Sequence, residues 1–235
     1  MNTPIYEGKA KQIFAGTEPN TYLIRFKDDA TAGNGEKHAV LDNKGVLNAA
    51  ISNLIYRHLA QNGVPTHLIK VIGETDILVR AAKIIPLEVI VRNVAAGSFS
   101  KKYGVAEGSE LKSRVVEFSL KDDSLGDPML SPSHILALGI AAEEEIFDVT
   151  VQALKINELL TELFAKAGIR LIDFKVEFGK TDDGNIILCD EISPDSCRLW
   201  DINTNEKMDK DRFRRDLGNV MDYYAEVLRR LQAAI

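Results

Sequence analysis

Residues 169–200, IRLIDFKVEFGKTDDGNIILCDEISPDSCRLW, constrain the fold of this chain more than any other stretch. The first ten residues alternate. Ile172, Phe174, Val176 and Phe178 fall on one side of a period-2 strand, and Asp173, Lys175 and Glu177 on the other. Asp-Gly within 182–185 tolerates the positive φ angles that reverse a chain, and IILCDE at 186–191 returns as a second strand. Closing the turn on residues 180 and 185 sets Lys175 opposite Asp190 and Glu177 opposite Leu188. Opposed residues share a face, so Asp190 joins the charged side and Glu191 points away from it.

Carboxylates and a lysine on one sheet face fit a water-facing strand as well as a site. The next residues favour a site. SPDSCRLW gathers Ser193, Asp195, Ser196 and Arg198 in a Pro-broken loop. Carboxylate oxygens are the natural ligands of Mg²⁺, which also takes substrate phosphates. A guanidinium grips phosphate or carboxylate in bidentate fashion.

The chain has 235 residues, 45% hydrophobic and 27% charged, enough for a real core and two lobes. A net charge of -6 argues against a general nucleic-acid binder. Cys189 and Cys197 show no metal-site spacing and no disulfide framework, which fits a reducing cytoplasm. The opening MNTPIYEGKAK lacks the apolar core of a signal peptide, and no stretch approaches the ~18–20 apolar residues of a membrane span.

In IYEGKAKQIF, Gly8 permits a tight turn beside Lys9 and Lys11, which share a face on a strand. Such a turn can cover phosphates, although Ala10 excludes a Walker A loop, and a solvated basic hairpin explains the lysines too. TYLIRFK predicts a second strand, and residues 28–38 a long mobile loop that closes over the site. Asp42 or Asn43 caps a helix running to about residue 62, with Val46, Leu47, Ala50, Ile51, Leu54, Ile55 and Leu59 as its apolar stripe. Two short strands follow, and the composition shift at 81–86 sets lobes of 1–82 and 83–235.

In the second lobe, Leu87, Val89 and Val91 alternate with Glu88, Ile90 and Arg92. Small residues around Gly97 let backbone approach a ligand, so Arg92 and Ser98 can grip a phosphate monoester, or Arg92 can form a surface ion pair. Lys121 and Asp127 lie in a polar loop, as ligand contacts or as solvated linker. A helix over 142–167 buries Ile146, Val149, Ala153, Ile156, Leu160, Leu163 and Ala167. A last helix starts near residue 210, its stripe running from Phe213 through Leu217 and Tyr224 to Leu231. Arg212, Arg214 and Arg215 crowd its first turns, where they invite a negative partner.

YEGKAKQIF, LEVIVRNVAAGSFSKKYG, LIDFKVEFG, DEISPDSCRLWD and MDKDRFRRDLG together resemble, in order and nearly end to end, the SAICAR synthetases of purine biosynthesis. The resemblance implies an α+β, two-lobed fold with antiparallel sheets and ATP bound between the lobes. It implies an ATP-dependent ligase that joins L-aspartate to the carboxylate of carboxyaminoimidazole ribonucleotide through an acyl phosphate. Carried over residue by residue, Lys9, Ala10 and Lys11 cover the ATP phosphates, with Lys121 as a further ATP contact. Glu177 and Asp190 hold Mg²⁺, and Arg92, Ser98 and Arg198 bind the ribotide phosphate. Asp173, Lys175 and Asp195 sit by the imidazole or the reacting carboxylate as catalytic residues. The expected partners are small molecules, with neither nucleic acid nor membrane, and the expected assembly is a homodimer. Two rivals are a kinase acting on a hydroxyl, whose HRD and DFG motifs are absent, and a non-catalytic nucleotide sensor.

Overall fold

A computed structural model describes residues 3–33 and 35–235. The chain begins with β1 (Tyr6–Glu7), β2 (Lys11–Ala15) and β3 (Thr21–Phe26). β4 (Asp29–Ala32) and β5 (Lys37–Val40) form a separate hairpin, where the sequence predicted a loop. Asn34 lies outside the described residues. Then come α1 (Lys44–Gln61), β6 (Leu68–Val71) and β7 (Asp76–Arg80). The first sheet is antiparallel, in the order β1-β2-β3-β7-β6.

The second half holds β8 (Lys83–Ile84), β9 (Leu87–Val94), α2 (Gly97–Tyr103), β10 (Glu110–Leu120) and β11 (Met129–Leu130). α3 (Pro132–Ala137) and α4 (Glu143–Lys166) precede β12 (Ile169–Lys180), β13 (Ile186–Cys189) and β14 (Cys197–Asp201). α5 (Asp211–Arg214) and α6 (Val220–Ala234) close the chain. The fold is α+β with antiparallel sheets, as expected.

β12 is the axis of the larger sheet. Residues 173 and 174 pair with β9 on one edge and β14 on the other, and residues 179 and 180 pair with β8 and β13. β13 and β14 therefore share one edge of β12, and residues 190–196 leave the sheet between them. The site loop is this excursion.

The alternation of β12 holds with one phase change. Register slips against β14 between Leu171 and Asp173, a bulge at Ile172. Ile169 and Leu171 before it, and Phe174, Val176 and Phe178 after it, all enter the main core. Ile172, expected beside Phe174, instead packs with Val94, Ala96 and Trp200. Each fully buried side chain of this kind contributes about 1.5–3 kcal/mol. The opposite face is also shielded: Asp173 and Glu177 are 3% and 2% exposed, which excludes a water-facing strand.

α1 buries a different face from the one its apolar residues suggest. Ile51, Ile55 and Leu59 enter the main core, but Val46, Leu47, Ala50 and Leu54 are only half-buried. Lys44, Asn48, Ser52, Asn53 and Tyr56 are buried instead. The polar face serves the site loop: Tyr56 Oη donates to the Cys189 carbonyl at 2.6 Å, and Ser52 Oγ accepts from Ile192 N–H at 3.2 Å. Asn43 occupies the cap position at φ 65° without a side-chain cap bond. The Asp28 carboxylate accepts from Gly45 N–H at 2.8 Å and does that work from the preceding turn.

α4 buries the predicted stripe from Ile146 to Leu163. The last helix, predicted as one, is two. Asp216, Gly218 and Asn219 take left-handed φ angles of 55°, 72° and 53°. The Arg212 guanidinium donates to the carbonyls of Lys207, Leu217 and Gly218, filling acceptors the break exposes. The negative partners expected for these arginines exist: Arg214 bonds Asp211, and Arg215 bonds Glu107.

Asp201, at the end of β14, accepts from Asn203 and Thr204 N–H at 2.9 Å each and from Arg230 at 2.8 Å. These bonds, Thr204's first, lower its carboxyl to about 2 from 3.8. A carboxyl depressed in the folded state contributes stability above its unfolded pKa and loses it as pH falls through the folded one. Asp201→Asn is expected to cost about 1–3 kcal/mol at pH 7. The gap between the two proteins should narrow from about pH 4 towards pH 2. Melting curves across that window check it, and a constant gap contradicts the assignment.

Candidate active site

A cleft of about 720 Å³ lies between the first sheet, the β4–β5 hairpin and the face of β12 that carries its charges. The β1–β2 turn brings Lys9, Ala10 and Lys11 to it, the loop after β10 brings Lys121, and β12 brings Lys175 and Glu177. Asp190 and Asp195 reach it from the excursion between β13 and β14.

The β13 register is one residue off the expected one. Glu177 pairs with Cys189, Phe178 with Leu188 and Lys180 with Ile186, because the turn closes from Thr181 N–H to the Asn185 carbonyl. On a continued strand this would send Asp190 away from Glu177. The strand does not continue. Asp190 takes φ 64°, a left-handed conformation that Asp tolerates better than most residues, and the kink returns its carboxylate to the cleft. Glu191, expected to point away, also lines the cleft, with Oε1 3.6 Å from Lys11 Nζ.

The electrostatics follow from crowding. Lys11 Nζ donates to Asp190, Lys121 Nζ to Glu177 at 2.5 Å, and Lys175 Nζ to Glu88 at 2.7 Å and Glu177 at 3.4 Å. Burial, and then the neighbouring Asp190 charge, push the Glu177 carboxyl up. Burial opposes ionisation of Asp190 too, but the ammonium groups of Lys11, Lys175 and Lys121 outweigh it and hold that carboxyl well below its usual range. Lys9 is peripheral, pairing with Asp123 at 2.6 Å.

Glu177 and Asp190 suit a divalent cation. Their mutual repulsion is what such an ion relieves, and hard carboxylate oxygens are its donors. Among the described residues no cluster of three or more His, Cys, Asp or Glu side chains is built to hold a metal. Two protein carboxylates with the rest of the shell from substrate phosphate and water is the usual arrangement for Mg²⁺.

Arg92, Ser98 and Arg198 come together beside this cleft, not in its lining. Asp173 has Arg92 as its cross-strand neighbour on β9 and Arg198 on β14. It accepts from both guanidiniums at 3.0 Å, and Arg92 also donates to Ser98 Oγ at 3.2 Å and to Glu117 at 2.5 Å. Asp173 therefore sits behind the arginines and fixes them. Gly97, at φ 54°, gives Arg198 its room, since a Cβ there would lie 2.3 Å from Nη2.

Asp195 is held within the protein. Tyr224 Oη donates to its Oδ1 at 2.7 Å, and Lys44 Nζ lies 2.6 Å from its Oδ2. Burial opposes its charge, but Lys210 and Lys44 lower the carboxyl to about 2. Sequence reasoning missed Glu88, Glu191, Lys44, Lys210 and Tyr224. Glu88 carried a signal as the polar residue alternating with Leu87 and Val89 on β9, and Glu191 and Lys210 carried one in lying within the DEISPDSCRLWD and MDKDRFRRDLG stretches.

A sequence profile of the SAICAR synthetase family matches residues 4–231. The phosphoribosylaminoimidazole-succinocarboxamide synthase of Finegoldia magna is 55% identical over 228 residues, 97% of this chain and 98% of that one. A crystal structure of the Ehrlichia chaffeensis synthase superposes with a TM-score of 0.96 at 47% identity, covering 99% of each chain. A SAICAR synthetase in complex with ADP gives 0.94 at 45% identity, over 97% of each chain. With the family's pattern running through the cleft and the arginine cluster alike, the chain belongs to the SAICAR synthetase family.

Proposed function

We propose that this protein is a phosphoribosylaminoimidazole-succinocarboxamide synthase, which joins L-aspartate to carboxyaminoimidazole ribonucleotide (CAIR) with hydrolysis of ATP to ADP and phosphate. The observation that carries the reading is the pairing of Glu177 and Asp190 among Lys11, Lys121 and Lys175, next to the Arg92–Arg198 cluster. One region suits a metal–triphosphate and the other a phosphate monoester.

ATP lies between lobes 1–82 and 83–235. Lys9, Ala10 and Lys11 cover its phosphates, and Lys121 adds a further cation. Glu177 and Asp190 hold Mg²⁺, which supplies charge neutralisation at the transferring phosphoryl group. Arg92, Ser98 and Arg198 bind the ribotide phosphate, and Asp173 positions the two arginines. This aims the substrate carboxylate at Lys175, two residues along β12 from Asp173 and so ~7 Å away. A carboxylate resists attack by an amine until an oxygen is phosphorylated. The acyl phosphate offers phosphate as leaving group, and the aspartate amine displaces it. Positioning and charge neutralisation carry most of the catalysis. The enzyme works in the cytoplasm as a homodimer.

The test is ADP release with each substrate omitted in turn. Release should require both CAIR and L-aspartate, and ¹⁸O placed in the CAIR carboxylate should appear in the phosphate. ADP release onto a hydroxyl acceptor alone would make the protein a kinase, and unlabelled phosphate would remove the acyl phosphate.

A further inference from the structure

The edge of β13 that β12 leaves open is covered by residues 65–67. Leu188 N–H donates to the Pro65 carbonyl and His67 N–H to the Leu188 carbonyl, at 2.9 Å each, with Thr66 paired parallel to Leu188. On a continued parallel ladder the His67 carbonyl would accept next from Asp190 N–H. It accepts instead from Arg80 N–H of β7, at 2.7 Å. His67 is thus a residue at which the first sheet is stitched to the larger one, and the ladder along β13 stops short of Asp190. The left-handed φ of 64° at Asp190 falls where that main-chain support ends.

The His67 side chain supplies what its backbone does not. His67 is buried at the edge of the cleft, and its ring lies 5.3 Å from that of Tyr56, tilted by 37°. Tyr56 in turn donates to the Cys189 carbonyl, one residue before Asp190. Burial, and then the Lys11 ammonium, push the imidazole down to about 3, against the Asp190 charge and a hydrogen bond to the Asp190 backbone. Near pH 7 the ring is therefore neutral. It has one N–H to donate and no charge that would compete with Lys11 for the Asp190 carboxylate. A buried imidazole is tolerated where that N–H has an acceptor, and the Asp190 backbone provides one.

We propose that His67 is a positioning residue for the metal: its imidazole bonds the Asp190 main chain, supports the left-handed kink and so keeps the Asp190 carboxylate beside Glu177. The inference rests on the reading of Glu177 and Asp190 as the Mg²⁺ ligands and extends it to a residue that acts through Asp190. Groups that hold a metal ligand in place contribute to metal affinity without touching the ion, so losing one weakens binding while every ligand remains. Tyr56 and Ser52 of α1 fix the chain on either side of Asp190, at Cys189 and Ile192. His67 fixes Asp190 itself.

The probe is Mn²⁺, whose binding in the presence of ADP is read by electron paramagnetic resonance with no turnover needed. His67→Phe keeps a ring against Tyr56 and removes both ring nitrogens. Its Kd for Mn²⁺ should rise roughly 10- to 100-fold, while the KM for CAIR moves less than about threefold. His67→Asn or His67→Gln, whose amide nitrogen stands in for Nδ1 or Nε2, should restore most of the affinity. A folded His67→Phe protein with unchanged Mn²⁺ affinity overturns the assignment, and so does an equal rise in the KM for CAIR, the mark of a loosened cleft. Recovery by neither amide makes the ring mere packing and overturns it too. A wild-type protein that binds no Mn²⁺ with ADP defeats the metal site itself, and the inference falls with it. If His67→Phe does not fold, the wild type carries the test through ¹⁵N NMR of its histidine rings, with His67 assigned by elimination of His38, His58 and His134. His67 should show one neutral tautomer, and its ring shifts should move when Mg²⁺ is added to the ADP-saturated protein. Averaged tautomers or unmoved shifts overturn the proposal.

Discussion

Asp190→Asn is expected to abolish CAIR-dependent ADP release while leaving a folded protein. Asp190 sits at φ 64°, a conformation Asn adopts as readily as Asp, so the backbone kink survives. The change removes a charge and almost no volume. Lys11 keeps Glu191, 3.6 Å away, and Glu177 loses the like-charged neighbour that raises its carboxyl. The melting temperature should therefore move by only a few degrees. Losing one of two metal carboxylates should cost about 3–5 kcal/mol in the transition state, or roughly 10²–10⁴ in rate. Raising Mg²⁺ should restore part of the activity. Glu191→Gln is the matched comparison. Glu191 shares Lys11 and accepts from Ser193 Oγ at 3.2 Å, so its loss loosens the loop without removing a metal ligand and should be milder. Both variants are to be titrated with Mg²⁺ beside their melting curves. A folded Asp190→Asn protein with unchanged rate and Mg²⁺ dependence would rule out the metal assignment.

Arg198→Ala should raise the KM for CAIR by at least 30-fold and leave the KM for ATP nearly unchanged. Removing one partner of a buried, charge-assisted contact costs on the order of 2–5 kcal/mol. Arg198 is a cleaner probe than Arg92. Arg92 is 4% exposed and satisfies Glu117, Asp173 and Ser98 together, so its removal leaves the half-buried Glu117 without its cation and Asp173 with Arg198 alone, and should cost about 3 kcal/mol of stability. When Arg198 is lost, Asp173 retains Arg92 and Asp211 retains Arg214. Steady-state kinetics with each substrate varied in turn make the check. Weakened ATP binding with CAIR binding intact would mean the arginines serve the other substrate.

The synthase reading also gives the polar face of α1 a purpose. A helix that needed only to cover a sheet would bury Val46 and Leu47. This one turns Ser52 and Tyr56 to the backbone around Asp190 and Lys44 to Asp195. Pinning the loop holds Asp190 and Asp195 in place before substrate arrives, as catalysis by positioning requires.

What the sequence by itself determined was whatever depends on neighbours along the chain. The alternation of β9 and β12, the stripe of α4 and the family's site pattern were all legible, because residues two, three or four apart share a face whatever they pack against. The charged set on the other face of β12 was legible for the same reason, but its burial was not. What only the tertiary structure decided was how distant segments meet. Asp-Gly announces a turn between β12 and β13 but not its length, and one extra residue shifts the register. The left-handed Asp190 that cancels the shift is held by contacts with α1, 133 positions away along the chain at the Tyr56–Cys189 bond. Lys44 and Lys210 reach Asp195 from distant segments, and although Lys210 falls in the MDKDRFRRDLG stretch, nothing local says that either meets Asp195. A buried charge must find its partner in space, and local periodicity does not say which distant residue that partner will be.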